Sequence, residues 1–399
     1  MREARAEERL RAVLAAGGTG GHVYPALAVA AELTRLRPEA RLLFIGGDRM
    51  EARAVPEAGY PFRAISVHGL AGRGLEGLGR RLRAGAELVP ALCQCLATLR
   101  RFRPQVVIGT GGYVSGPALL AARLLGLPLL ALEGNRTPGW TSRSVARMVD
   151  VMAVAWPEME AFFAERVGDR GRVVVTGLPV RPRVLEMRRE EGAAALGFEP
   201  GRRTLVALGG SLGSRRINEA LVGALRLVDD GRGRLREVQI LHVTGRQHPV
   251  SLPPEEAGVM APRYQAAVYL EAEYPAALAA ADLVICRAGA STVAELTARG
   301  LPSVLVPWSQ AATGEQVRNA EPLAKAGAAV VIQDADLGPE RLAEVLGQVL
   351  WDQGRLERMG NASRLLGRPR AAEAVAQLAI ELAEGRQSSR VSESGGRSA

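Results

Sequence analysis

The sequence predicts an α/β protein of two doubly wound, parallel-sheet domains facing a cleft. Three observations carry that prediction. Apolar runs rich in leucine and β-branched residues alternate with segments of helical periodicity, the pattern of strands covered by helices on both faces. The alternation stops at Gly177-Leu178-Pro179-Val180-Arg181-Pro182 and then restarts, and 399 residues exceed what one core usually serves. Three glycine-rich turns, Gly17–His22, Gly111–Pro117 and Gly209–Ser214, each follow an apolar run and precede a helical pattern.

The first domain, 1–177, has predicted strands at Arg11–Ala16, Arg41–Ile45, Phe62–Val67, Gln105–Gly109, Leu127–Leu132, Val151–Val154 and Arg172–Thr176. Each is short, apolar and bounded by turn formers or charges, as buried parallel strands are. Of the helical patterns between them, Pro25–Leu36 places its proline in a first turn, where the missing N–H costs nothing. The second domain, 178–384, repeats the scheme with strands at Thr204–Leu208, Glu237–Val243, Tyr264–Tyr269, Leu283–Cys286, Ser303–Val306 and Ala328–Ile332. Beyond Pro339 the pattern is helical, and the last helix is expected to pack back on the first domain. The polar segment 385–399 predicts a disordered tail.

Composition narrows the function. The net charge is +9, and Lys325 is the only lysine among 51 basic residues. Such a balance suits anionic partners, but no aromatic-plus-basic module accompanies it, so nucleic acid is not expected. Cys93, Cys95 and Cys286 form no disulfide framework, and the histidines, His22, His68, His242 and His248, are too scattered for a metal cluster. The stretch 118–132 is too short and too interrupted to span a bilayer, and 1–11 is no secretory signal. A soluble or peripheral cytoplasmic protein with no cofactor and no metal is expected.

A strand that runs into a glycine turn and a helix aims backbone N–H groups and the positive helix end at one spot, which suits phosphate. The segments Gly17-Gly18-Thr19-Gly20-Gly21-His22-Val23-Tyr24-Pro25, Gly111-Gly112-Tyr113-Val114-Ser115-Gly116-Pro117 and Cys286-Arg287-Ala288-Gly289-Ala290-Ser291-Thr292-Val293-Ala294-Glu295 occur in that order. Over 11–382 the chain thereby resembles the MurG family, the N-acetylglucosaminyltransferases of glycosyltransferase family 28. The resemblance implies a GT-B fold of two Rossmann-like domains and UDP-GlcNAc as donor. It implies lipid I (undecaprenyl-diphosphate-MurNAc-pentapeptide) as acceptor and lipid II as product. Inversion at the anomeric carbon without an obligatory metal, and a peripheral place on the cytoplasmic face of the cell membrane, are implied as well.

The resemblance also assigns residues. Thr19, Gly20 and Gly21 line the cleft, Asn135 reaches the sugar, and Arg181 binds donor. Ser211 meets the diphosphate, and the backbone of Leu270 reads the uracil. Ala290, Ser291, Thr292, Val293, Ala294 and Glu295 surround the nucleotide, with Glu295 on the ribose hydroxyls, and Gln316 reads the sugar hydroxyls. The chain departs from the family's usual residues at Leu132, Gly134, Ala288 and Glu315.

Inverting transfer needs a base for the acceptor hydroxyl and stabilisation of the departing diphosphate. His22, at the end of the first glycine turn, has the pKa for that base; as alternatives it caps the helix or binds acceptor phosphate. Glu133 is a second candidate base, or a support for His22. Glu295 reads otherwise as a surface carboxylate, Ser211 as a cap, and Arg181 as a linker charge. The segment 69–103 sets Arg73, Arg80, Arg81, Arg83, Arg100, Arg101 and Arg103 among Leu75, Leu78, Leu82, Leu88 and Leu92. It reads as a solvated amphipathic helix or as a face for anionic lipid. Competing functions are another glycosyltransferase of the same fold, a dinucleotide-binding oxidoreductase, and a non-catalytic binding module. The oxidoreductase needs an acidic residue roughly 20 positions past the turn, whereas Asp48 lies farther on, and a single dinucleotide would leave the third turn unused.

Overall fold

The computed structural model describes residues 9–66, 75–169, 171–210, 212–228, 237–248, 263–308 and 314–395, with the backbone alone for 75–87, 263 and 386–395. The chain forms two compact units, one of residues up to Arg181 together with Arg370 onward, the other Pro182–Pro369. Both crossings fall at a proline, where helix propagation fails.

The first unit runs β1 (Arg11–Ala15), α1 (Gly20–Leu36), β2 (Arg41–Gly46), α2 (Glu51–Glu57), β3 (Phe62–Ala64), α3 (Leu75–Phe102), β4 (Val106–Gly109), α4 (Ser115–Leu124), β5 (Leu129–Glu133), α5 (Trp140–Val145), β6 (Val151–Val154), α6 (Glu158–Ala164) and β7 (Arg172–Val175). Its sheet is parallel, in the order β3-β2-β1-β4-β5-β6-β7. In β1, Ala12 and Leu14 join one core while Val13 and Ala15 join the other, so a run with no polar alternation is what the position requires. β3 is shorter than predicted because it is an edge strand paired only with β2, and Arg63 and Ala64 are exposed.

The second unit holds α7 (Pro182–Glu186), α8 (Arg189–Ala195), β8 (Arg203–Leu208), α9 (Arg215–Val228), β9 (Val238–Val243), β10 (Arg263–Ala267), α10 (Tyr274–Ala280), β11 (Leu283–Cys286), α11 (Ala290–Arg299), β12 (Ser303–Leu305), α12 (Glu315–Lys325), β13 (Ala329–Val331), α13 (Pro339–Val349) and α14 (Gln353–Leu366). Its parallel sheet has the order β10-β9-β8-β11-β12-β13. The last helix, α15 (Ala371–Gly395), belongs to the first unit, where Val375, Ala376, Ala379 and Ala383 pack with Val29 and Leu33 of α1. α15 also continues through most of 385–399, which the polar composition predicts as disordered. It contains no proline, and a docked helix extends without a new nucleation step.

Strand order reverses between β1 and β4 in the first sheet and between β8 and β11 in the second. In doubly wound sheets, ligands bind outside the carboxyl ends at such switch points. The turns after β1 and β4 are Gly17–His22 and Gly111–Pro117; those after β8 and β11 are Gly209–Ser214 and 287–290. Every long motif of the sequence therefore lies at a switch point.

Candidate active site

In the first unit the turns after β1 and β4 meet at His22. The carbonyl of Thr19 accepts the N–H groups of His22 (3.1 Å) and Val23 (3.2 Å), so α1 begins at Gly20. Pro25, expected in a first turn, lies inside the helix and forgoes one backbone bond. The half-buried His22 ring places Nδ1 3.0 Å from the Thr110 carbonyl, and Thr110 Oγ1 donates to the His22 carbonyl at 2.8 Å. A carbonyl only accepts, so Nδ1 carries the proton and Nε2 keeps the lone pair. Gly111 and Gly112, with φ of +99° and +78°, pack against the ring. A Cβ on Gly111 would stand 2.7 Å from Nδ1, and one on Gly112 2.4 Å from the Gly17 carbonyl oxygen. Gly111 is thus required by the histidine seated on it, and Gly112 by the first turn beside it.

Burial lowers the His22 pKa below its usual 6.5; the Thr110 carbonyl and, less strongly, the charges of Glu133 and Glu51 oppose the shift. The imidazole is neutral at pH 7, the form a base needs. Glu133, buried at the end of β5, uses both oxygens on its own loop. Oε1 accepts from the backbone N–H (2.9 Å) and Nδ2 (3.2 Å) of Asn135, and Oε2 accepts from the Gly139 N–H at 2.9 Å. Glu133 therefore orients Asn135 and acts on His22 through charge. Of the two candidate bases the geometry favours His22. Thr19 and Gly21 are exposed beside it, with Gly20 half-buried. Arg181 lies over the Tyr24 ring of α1, Cζ 4.0 Å from its centre.

In the second unit, hydrogen bonds join the segments assigned to the donor. Tyr274 donates its hydroxyl to Glu295 Oε2 at 2.7 Å, tying the Leu270–Tyr274 stretch to the buried Glu295 of α11. Asn319 Nδ2 donates to the Ala288 carbonyl at 3.2 Å, tying α12 to the turn that starts α11. Gln316 Oε1 accepts the Trp308 N–H at 3.0 Å. Ala290, Ser291, Thr292 and Ala294 are half-buried on α11, whereas the Val293 side chain is in the core and Leu270 is buried. Val293 and Leu270 thus present backbone rather than side chain. Ser211 lies outside the described residues, as do Arg73 and the side chains of Leu75, Leu78, Arg80, Arg81, Leu82 and Arg83.

Sequence reasoning missed the residue beneath this assembly. Arg287, quoted within a motif but given no role, donates to Ser214 Oγ at 2.7 Å and to the Val306 carbonyl at 3.1 Å, and pairs with Asp334. One guanidinium so joins the ends of β8, β11 and β12. The third glycine turn is also held from below. A Cβ on Gly213 (φ +91°) would stand 2.2 Å from the Thr244 carbonyl oxygen.

His242 belongs to that underpinning. Its Nε2 meets Asn218 Oδ1 at 3.0 Å and its Nδ1 meets the Tyr264 hydroxyl at 2.7 Å, while Asn218 Nδ2 donates to the carbonyls of Thr244 and His248. Burial pushes its pKa down to about 4. Above pH 6.5 neither folded nor unfolded chain protonates this residue. Between 6.5 and 4 only the unfolded chain takes up the proton, so stability falls with pH by about 1.4 kcal/mol per unit from this group. Urea unfolding at pH 7 and pH 5 is expected to show that loss in the native protein and a flatter response in His242→Gln.

Residues 12–154 match the glycosyltransferase family 28 N-terminal domain, and residues 204–377 match the glycosyltransferase family 28 C-terminal domain. The chain belongs to glycosyltransferase family 28. Two relatives carry the same name, UDP-N-acetylglucosamine--N-acetylmuramyl-(pentapeptide) pyrophosphoryl-undecaprenol N-acetylglucosamine transferase. The one from Desulforudis audaxviator is 42% identical, covering 94% of this chain and 99% of its own length. That from Moorella thermoacetica is 41% identical, covering 94% and 100%. The crystal structure of Acinetobacter baumannii MurG superposes with a TM-score of 0.66 at 28% identity, covering 94% of this chain and 99% of that one. The two parallel-sheet units of this family 28 chain are those of the GT-B fold.

Proposed function

We propose that the protein transfers GlcNAc from UDP-GlcNAc to lipid I, giving lipid II for peptidoglycan synthesis. The observation that carries this reading is the near full-length match to transferases named for that reaction. His22 Nε2 takes the proton from the MurNAc 4-hydroxyl while that oxygen forms a bond to the anomeric carbon. The bond from that carbon to the diphosphate breaks on the opposite face, and UDP leaves with the electron pair. The configuration inverts. The second unit supplies donor recognition, with Glu295 on the ribose, the Leu270 backbone on the uracil and Gln316 on the sugar. Ser211 and the start of α11 receive the diphosphate. Asn135, fixed by Glu133, and Arg181, stacked on Tyr24, serve the sugar and the donor. The test is acceptor choice: turnover with a lipid I analogue and none with diacylglycerol supports the reading, and the reverse sinks it.

The acceptor's lipid also calls for a membrane-facing surface, and we assign it to 69–103 of the first unit. No helix among the described residues is long and apolar enough to cross a membrane. Within the described part of α3, Leu88 and Val89 are 40% and 62% exposed, and Arg100 and Arg101 are exposed. Exposed apolar and basic side chains on one helix suit an anionic interface, at about 1 kcal/mol per basic residue near the surface. Neutralising Arg80, Arg81 and Arg83 together is expected to weaken sedimentation with anionic vesicles while turnover on a water-soluble acceptor persists. Lost turnover with retained vesicle binding would instead place the segment in the acceptor site.

A further inference from the structure

The mechanism above gives no role to Glu51, a charged side chain with no exposed surface. A buried carboxylate is costly unless its oxygens are hydrogen-bonded. Two strand-end turns do this. Oε1 accepts the Gly47 N–H at 3.0 Å, after β2, and both oxygens accept the Gly18 N–H at 3.2 Å, after β1. A Cβ on Gly17 would stand 2.5 Å from Oε1, and one on Gly47 2.9 Å from the same oxygen. One side chain therefore dictates glycine in both turns. The Gly17 carbonyl is also what a Cβ on Gly112, beside the His22 ring, would strike, so the first and second turns are closely apposed next to the histidine. The Gly18 N–H, which a phosphate loop would offer to its ligand, points at this carboxylate instead. The first turn is organised around a base.

We propose that Glu51 is a positioning residue of the transfer reaction, its carboxylate setting the turn from which His22 reaches the acceptor hydroxyl. This rests on the assignment of His22 as the base. The charges that act on the histidine are Glu133 at the end of β5 and Glu51 on α2, while Asp48 and Arg49 act on Tyr113 of the second turn and Arg181 lies over Tyr24. Glu51→Gln keeps the shape but turns an amide N–H toward a backbone N–H and removes one of the two anions that favour imidazolium. Glu51→Asp keeps the charge and falls one methylene short.

The experiment is steady-state turnover of the full chain with UDP-GlcNAc and a water-soluble lipid I analogue, across pH, with calorimetric donor affinity. Glu51→Gln is expected to lower kcat by roughly 10- to 100-fold, as a displaced catalytic group does, with donor Kd within about twofold. Its acid limb moves to lower pH. Glu51→Asp is expected to lower kcat with the acid limb unmoved. A merely structural carboxylate would change the melting temperature and leave the limb in place. Wild-type kcat and acid limb in Glu51→Gln overturn the proposal, as does a kcat loss matched by lost donor affinity. Should Glu51→Gln fail to fold, unchanged kcat in Glu51→Asp overturns it. An inactive wild type refutes the transferase reading; an active wild type matched by Glu51→Gln refutes only this inference.

Discussion

His22→Ala is expected to lower kcat by roughly 10²–10⁴, the usual worth of a positioned base, while donor affinity stays within about twofold. The split follows from where the groups sit. His22 belongs to the first unit and is fixed by Thr110 and the glycines it rests on, whereas Glu295 and Leu270, the residues proposed for the nucleotide, belong to the second. The imidazole is neutral, its Nε2 lone pair is available, and burial holds its pKa below 6.5. The acid limb of kcat in the native protein should therefore lie below pH 6.5, since turnover falls only as Nε2 becomes protonated. Stopped turnover with full donor binding in His22→Ala supports the assignment. Near-normal turnover would move the base to Glu133, against the two hydrogen-bonded oxygens seen there.

Glu295→Ala is expected to raise the apparent donor KM by roughly 10- to 100-fold and to change kcat little, because the ribose contacts proposed for it are the same in ground and transition states. Losing hydrogen bonds to a charged group costs about 1.5–3 kcal/mol. Alanine also leaves the Tyr274 hydroxyl without the acceptor it has at 2.7 Å. Glu295→Gln keeps that acceptor and separates the two effects, with donor KM still raised but the melting temperature close to native. Unchanged donor affinity by calorimetry in both variants would remove Glu295 from the site.

Much of this architecture is legible in the sequence because a strand buried on both faces needs an unbroken apolar run. β1, with Val13 and Leu14 in opposite cores, is the plainest case. The glycine motifs are legible as turns, and the strand order then explains why they matter. Their tertiary reasons are not legible. Gly111 and Gly112 read as phosphate-loop glycines but are shaped by the His22 ring and by the Gly17 carbonyl. Glu51 gives no local signal beyond a carboxylate after a glycine pair, since its partners lie 33 residues away at Gly18 and in the adjoining turn at Gly47. Arg287 stood in a recognised motif, yet its partners Ser214, Val306 and Asp334 come from three other elements. Pro25 misled because a helix start is set by which carbonyl takes the first N–H groups, here Thr19, and not by proline preference alone.

With His22 activating the acceptor hydroxyl for direct displacement, sugar is expected to leave UDP only when that hydroxyl is present to receive it. Release of UDP from UDP-GlcNAc, followed with and without a lipid I analogue, tests it directly. Acceptor-dependent release, matched mole for mole by a disaccharide product, is the expected result. Release at the same rate without acceptor, or none with it, would contradict the account.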